Sequence, residues 1–287
     1  MSRIHDALKR AEQERGGAIS ASPLSTNLGP AAEEPLVSPE VGDALLARCR
    51  QEEWNPDRKT MLFFSGEDDR PGTEEFRTLR SRLYQVREQR PLRTILVTSA
   101  LPKEGKSFTA ANLAQAMVRQ QGRRVLLIDC DLRAPRLHLL LGASLTPGVS
   151  DYLQGQSDEF SIMQRGPMEN LYFIPSGQHV EHPAELVANG RMKLLVERVK
   201  ELFDWIVVDS PPAAPVADSS ILAKVCDGVL MVVRSNSTPA DIARKAREEF
   251  AEEALLGVVL NGRENDAAPY ARYYYETHRN RAKPAKA

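Results

Sequence analysis

Four charged side chains and one hydroxyl have the types and spacing needed to handle a polyphosphate and its metal: Lys106 and Ser107, Asp129 and Asp131, and Asp209. Lys106 and Ser107 close the segment Ala100–Ser107, ALPKEGKS, which is the G-x4-G-K-[ST] phosphate-loop pattern with alanine at the first glycine position. In such a loop consecutive backbone N–H groups curl around a phosphate, Gly105 admits a close approach, and the following helix turns its positive end to the anion. Lys106 would then reach the β- and γ-phosphates of ATP and Ser107 would coordinate Mg²⁺, with Pro102, Lys103, Glu104, Gly105 and Phe108 completing the nucleotide cradle.

The acids have their own logic. Asp129 and Asp131 end the apolar run in RVLLIDCDLRAPR, Arg124 to Arg136. Two positions apart on a strand, they project to one side. Adjacent carboxylates repel unless a cation lies near them, so the pair points to Mg²⁺ and to a base for a hydroxyl nucleophile. Spacing leaves open which of the two takes the proton. Asp209 ends FDWIVVDSPP, Phe203 to Pro212, in the place of a Walker B acid that holds Mg²⁺ through its water shell. The candidate metal set is therefore Ser107, Asp131 and Asp209. Asn261, at the end of the last apolar run, is a candidate for reading the nucleotide base.

These residues need strands that end at one edge. Ile95–Val97, Val125–Ile128, Asn170–Ile174, Phe203–Asp209, Gly228–Arg234 and Leu256–Asn261 read as buried strands. Helical patterns alternate with them, and the helix after the phosphate loop has Ala110, Leu113, Ala114, Met117 and Val118 at helical spacing. That alternation predicts an α/β fold, a doubly wound and mostly parallel sheet of the P-loop nucleotide-hydrolase kind with a deviant Walker A loop. In such sheets ligands bind at the carboxyl ends of the strands.

Around this core the chain divides into four. Residues 1–15, with SRIHDALKRAEQER at 2–15, predict a small amphipathic helix that docks on something. Residues 16–59 are rich in Gly, Ala, Ser and Pro and predict a largely disordered linker with one short helical pattern near 41–50. Residues 60–265 are the expected P-loop domain, and residues 266–287 form a tail with Tyr270, Tyr273, Tyr274 and Tyr275 followed by Arg279, Arg281, Lys283 and Lys286. The net charge of −1 exerts no global pull on nucleic acid, and three scattered cysteines fit neither a disulfide framework nor a zinc site. The apolar runs are too short for a membrane-spanning helix. Thr73–Arg90 predicts a helix capped by Thr73, with Phe76, Leu79, Leu83 and Val86 inward and Glu74, Arg77 and Arg80 on an outward face.

With these motifs in order, the chain resembles the bacterial tyrosine autokinases (BY-kinases) of the CpsD/CapB type that act in capsule and exopolysaccharide export. ALPKEGKS is similar to their Walker A, LLIDCDLR to their second DxDxR motif, and IVVDSPP to their Walker B. PGVSDYLQG, IPSG followed by HPAELV, and the stretch from Asp218 to Arg234 are also similar, while the N-terminal segment looks like the leader of the exosortase-associated branch. The resemblance implies an ATP- and Mg²⁺-dependent tyrosine autokinase whose Lys106, Asp129, Asp131 and Asp209 are catalytic, with Asp129 as the base. It also implies that Glu74, Arg77 and Arg80 form an oligomerisation motif of a ring-like homo-oligomer, and that the tail tyrosines are the sites modified in trans. The implied partners are a chain-length-determinant (Wzz-type) membrane activator, which would hold a cytoplasmic protein at the inner face of the membrane, and a tyrosine phosphatase. Leu101 stands where partition and division-site ATPases have a signature lysine, which argues against that branch. The rival expectation is an ATP-hydrolysing switch or scaffold of the export machinery whose tyrosines only pack.

Overall fold

Val97, Asp129 and Asp209 end up side by side because the three most apolar runs become the middle of one sheet. The computed structural model describes residues 39–64 and 70–263. In chain order its elements are α1 (Pro39–Leu46), β1 (Arg50–Gln51), α2 (Thr73–Gln89), β2 (Thr94–Ser99), α3 (Lys106–Val118), β3 (Val125–Asp129), α4 (Leu137–Leu141) and α5 (Val149–Leu153). They continue with β4 (Gln164–Arg165), β5 (Leu171–Ile174), α6 (Pro183–Ala188), α7 (Arg191–Val199), β6 (Trp205–Asp209), α8 (Asp218–Ala223), β7 (Gly228–Arg234), α9 (Ala240–Glu248) and β8 (Leu255–Asn261). The sheet order is β1-β4-β5-β3-β6-β2-β7-β8, and every pairing is parallel except β4 with β5. This is the expected doubly wound α/β fold.

Alternation along the central strands builds two apolar layers. Leu96, Leu126, Ile128, Ile206 and Val208 pack on one face, and Ile95, Val97, Val125, Leu127, Trp205 and Val207 on the other. Residues that are apolar at every position suit a strand covered on both sides. The register then fixes the functional geometry: Asp129 pairs with Asp209, and Asp209 with Val97. Helix α3 is buried almost throughout and lies against α2, whose Arg80 donates from Nη1 to the Ala116 carbonyl at 2.7 Å.

Three expectations need correction. Part of the expected linker is folded: α1 and β1 lie within residues 39–59, and Leu46, Cys49 and Trp54 are buried. Their few large apolar residues are enough because each reaches an existing core; Trp54 stands edge-on to Phe173 with ring centroids 6.0 Å apart. Thr73 is not the cap of α2. Gly72 holds that position with φ 96°, and the Thr73 hydroxyl donates to the Arg70 carbonyl. The face of Glu74, Arg77 and Arg80 is not wholly outward, since Arg77 pairs with Glu74 while Arg80 turns onto α3. The N-terminal helix and the tail tyrosines lie outside the described residues. No helix of the described residues is long and apolar enough to cross a membrane.

Candidate active site

Strand ends β2, β3 and β6 deliver the acids and the phosphate loop to one place. Lys106 Nζ lies 2.6 Å from Asp131 Oδ2, 3.8 Å from Asp209 Oδ2 and 3.3 Å from Ser107 Oγ. Lys106 is 8% exposed, Asp131 3%, and Asp129 and Asp209 are fully buried. Loop backbones follow the same convergence, with Cys130 N–H donating to the Asp209 carbonyl and Ser210 N–H to that of Val97.

The acids are not equivalent. Asp129 accepts from the backbone N–H groups of Asp131, Arg136 and Leu137 at 3.1, 3.3 and 3.1 Å, so it shapes the turn after β3. Asp131 divides its oxygens between Ala134 N–H and Lys106. Both oxygens of Asp209 are buried and meet no donor at hydrogen-bonding geometry, the Ser107 hydroxyl being only near enough to ease the charge. Burial pushes the Asp129 carboxyl up, and Asp209 pushes it further. Burial likewise raises Asp209, against the pull of Lys106. Desolvation draws the Lys106 ammonium down, but Asp209 and Asp131 outweigh it and the net shift is upward.

Two buried carboxylates within 4 Å of one ammonium, with Asp129 buried beside them, form a cation-seeking pocket. Among the described residues no group of three or more acids, histidines or cysteines is arranged to cage a metal. Mg²⁺ fits that donor set, because it keeps waters and takes phosphate oxygens as ligands, needing only one or two carboxylates and a hydroxyl from the protein. Ser107, Asp131 and Asp209, whose oxygens meet no hydrogen-bond donor, would supply those.

The phosphate loop is held from behind. Lys103 and Gly105 have φ 66° and 96°. Glu104 turns its side chain inward, 2% exposed, and accepts from Leu101 N–H at 2.6 Å, from Arg234 N–H at 3.4 Å and from the Thr238 hydroxyl. Its role is to brace the loop, so only its backbone remains in the cradle. Asn261 donates from Nδ2 to the Glu104 carbonyl at 2.8 Å, and a Cβ on Gly105 would lie 2.0 Å from that nitrogen. Asn261 thus spends its amide on the loop. Phe108 stacks edge-on against Phe76 with centroids 5.8 Å apart, which directs its ring toward α2. Pro102 and Lys103 are exposed at the rim. Gly105→Ala is expected to lower nucleotide affinity by about tenfold or more, since a side chain at left-handed φ costs roughly 1–2 kcal/mol before the clash is counted. Titration of a fluorescent ADP analogue checks this.

Comparison with known proteins now has a geometry to attach to. A family model described as an AAA domain matches residues 93–240. Tyrosine-protein kinase YwqD of Bacillus subtilis is 36% identical over 211 residues, covering 72% of this chain and 88% of YwqD. The chain belongs to the bacterial tyrosine-protein kinases. Against the putative tyrosine-protein kinase EpsB of Ralstonia nicotianae, this kinase is 33% identical over 76% of its length but spans only 30% of EpsB. The solved kinase domain of Escherichia coli tyrosine kinase ETK superposes with a TM-score of 0.63 at 29% identity, covering 68% of this chain and 77% of that domain.

In this tyrosine kinase two site residues, Asp218 and Thr238, are not marked by local sequence. Arg133 and Asp218 form a two-pronged pair, Nε to Oδ2 at 2.8 Å and Nη2 to Oδ1 at 3.1 Å, with Asp218 buried. It ties the turn carrying Asp131 to the start of α8. The DLR sequence flags the arginine, but its partner lies 85 residues away and reads locally as a helix-start acid. Thr238 is equally silent, an ordinary loop threonine until Glu104 is seen to accept from it.

Proposed function

We propose that this kinase transfers the γ-phosphoryl group of ATP to Tyr270, Tyr273, Tyr274 and Tyr275 in the tail of a neighbouring copy, and thereby regulates polymerisation and export of an exopolysaccharide. The convergence of Lys106, Ser107, Asp131 and Asp209 behind a braced phosphate loop, in a chain of this family, carries the reading. Lys106 leaves Asp131 to bind the β- and γ-phosphate oxygens. The tyrosine oxygen bonds to the γ-phosphorus as the bond to the leaving ADP oxygen breaks, and the phenolic proton goes to the Asp129/Asp131 pair. Asp129, holding three backbone N–H groups, keeps that turn in place whichever carboxylate accepts the proton. Mg²⁺ held through Ser107, Asp131 and Asp209 would neutralise charge on the transferred group.

Glu74, Arg77 and Arg80 would contact the next subunit and bring its tail within reach in a ring. A chain-length-determinant membrane protein would activate the kinase and hold it at the cytoplasmic face of the membrane, and a tyrosine phosphatase would reset it. Arg77→Ala combined with Arg80→Ala is expected to shift the oligomer to smaller species in light scattering; an unchanged mass removes the role given to that face.

Mass-spectrometric mapping of tail phosphotyrosine, after incubation with ATP, Mg²⁺ and the activator, tests the central reading. Signal should appear in the intact chain and vanish on truncation before Tyr270. An unmodified tail alongside normal ATP hydrolysis would instead favour the switch protein.

A further inference from the structure

Strand β8 is the outermost of the sheet and, among the described residues, pairs with β7 alone. Val259 packs into the core, while Val258 and Leu260 on the opposite side of the strand are 56% and 58% exposed. An open edge with apolar side chains is a template for one more strand. Just before it stand Glu248, Glu249, Glu252 and Glu253, all exposed.

We propose that the unphosphorylated C-terminal tail of the same chain docks along β8 as an added antiparallel strand. Gly262, with φ 68°, supplies a backbone reversal directly after β8. The tail then carries what this surface lacks. Tyr273 and Tyr275 are two positions apart and so share one face of a strand. Setting Tyr273 opposite Leu260 and Tyr275 opposite Val258 carries Arg279 and Arg281 past the start of β8, toward the 3-10 turn Glu252–Ala254 and its acids. Apolar residues meet along β8, and the basic residues that follow reach the acidic turn before it. The connecting loop of about ten residues adds little closure cost, because that cost grows only logarithmically with length. A second copy pairing edge to edge would cover the same apolar residues, but it would set β8 against β8 and bring no basic run to Glu248, Glu249 and Glu253; Glu252 already pairs with Arg247 at 3.1 Å.

The consequence rests on the tail being the substrate, as proposed above. Docked tyrosines are withheld from the neighbouring active site, and each phosphate added brings about −1.5 to −2 charges to a surface already rich in glutamate. Phosphorylation therefore expels the tail and exposes the edge.

Hydrogen exchange of β8 amides tests the docking on the full chain kept without ATP. Exchange at Val258–Leu260 should be at least about tenfold slower than in a chain ending at Arg263, as new strand hydrogen bonds require. Tyr273→Ser with Tyr275→Ser, or Leu260→Asp, should abolish the difference while ADP binding stays intact. Equal exchange in the long and short chains would overturn the proposal, and so would protection that grows with protein concentration, which is the signature of a second copy. Phosphotyrosine mapping of the same samples separates the two readings: an unmodified tail defeats the kinase substrate assignment and leaves β8 protection to stand or fall alone.

Discussion

Lys106→Met is expected to reduce tail phosphorylation by about 10³-fold, the order lost when a preorganised donor to a developing oxyanion is removed. Lys106 is the only cation within ion-pair distance of the three site acids among the described residues, at 2.6 Å from Asp131 and 3.8 Å from Asp209. Methionine keeps much of the volume but neither the charge nor the donors. Removing one partner of a buried pair typically costs about 3–5 kcal/mol, and here protonation of a neighbouring acid absorbs part of it. Asp209 is the natural site, its carboxyl pushed up to about 6 by burial and then deprived of the Lys106 charge that held it down. The variant should therefore fold with a modest loss of thermal stability while losing catalysis almost completely. Residual phosphorylation within tenfold of wild type, measured on protein of confirmed fold, would remove Lys106 from the mechanism.

The strands were legible in the sequence because covering both faces of a sheet demands uninterrupted apolar runs, and the acids were legible because they interrupt those runs at their ends. Val125–Asp129 and Trp205–Asp209 show both signals within five residues. What local pattern could not show was the division of labour among the acids. Asp129 and Asp131 are equivalent by spacing, yet one gathers three backbone N–H groups and the other meets Lys106. That difference depends on how the turn to α4 closes, which no two-residue period encodes. Glu104 was legible only as a loop position. Its inward turn follows from Thr238 and Arg234, more than 120 residues later. The order in residues 39–59 was hidden for a related reason: sparse apolar residues read as linker until Trp54 and Cys49 find a core built by distant strands.

Asp209→Asn is expected to separate stability from activity. The carboxylate has a raised folded-state pKa, pushed up to about 6 chiefly by burial. Stability from this group is therefore full below the unfolded carboxylate range near 4 and is lost as pH rises through the folded value. At neutral pH the ionised group is buried, and neither oxygen has a donor at bonding geometry. Asparagine removes the charge and the repulsion from Asp131, while the Lys106–Asp131 contact at 2.6 Å survives. The nucleotide-free variant should gain about 1–3 kcal/mol at pH 7, because a carboxyl held near 6 against about 4 unfolded is destabilised in its charged form even with Lys106 3.8 Å away. Its melting temperature should also vary less between pH 4 and 7 than that of wild type. Tail phosphorylation should fall by about 10²–10³-fold, as expected when charge stabilisation at the transferring phosphoryl is withdrawn. Calorimetry across that pH range beside phosphotyrosine quantification gives both halves. A variant that loses stability and keeps activity would show Asp209 to be a structural acid, whereas gain with loss is the mark of a carboxylate that the fold leaves without a hydrogen-bond donor so that a metal can use it.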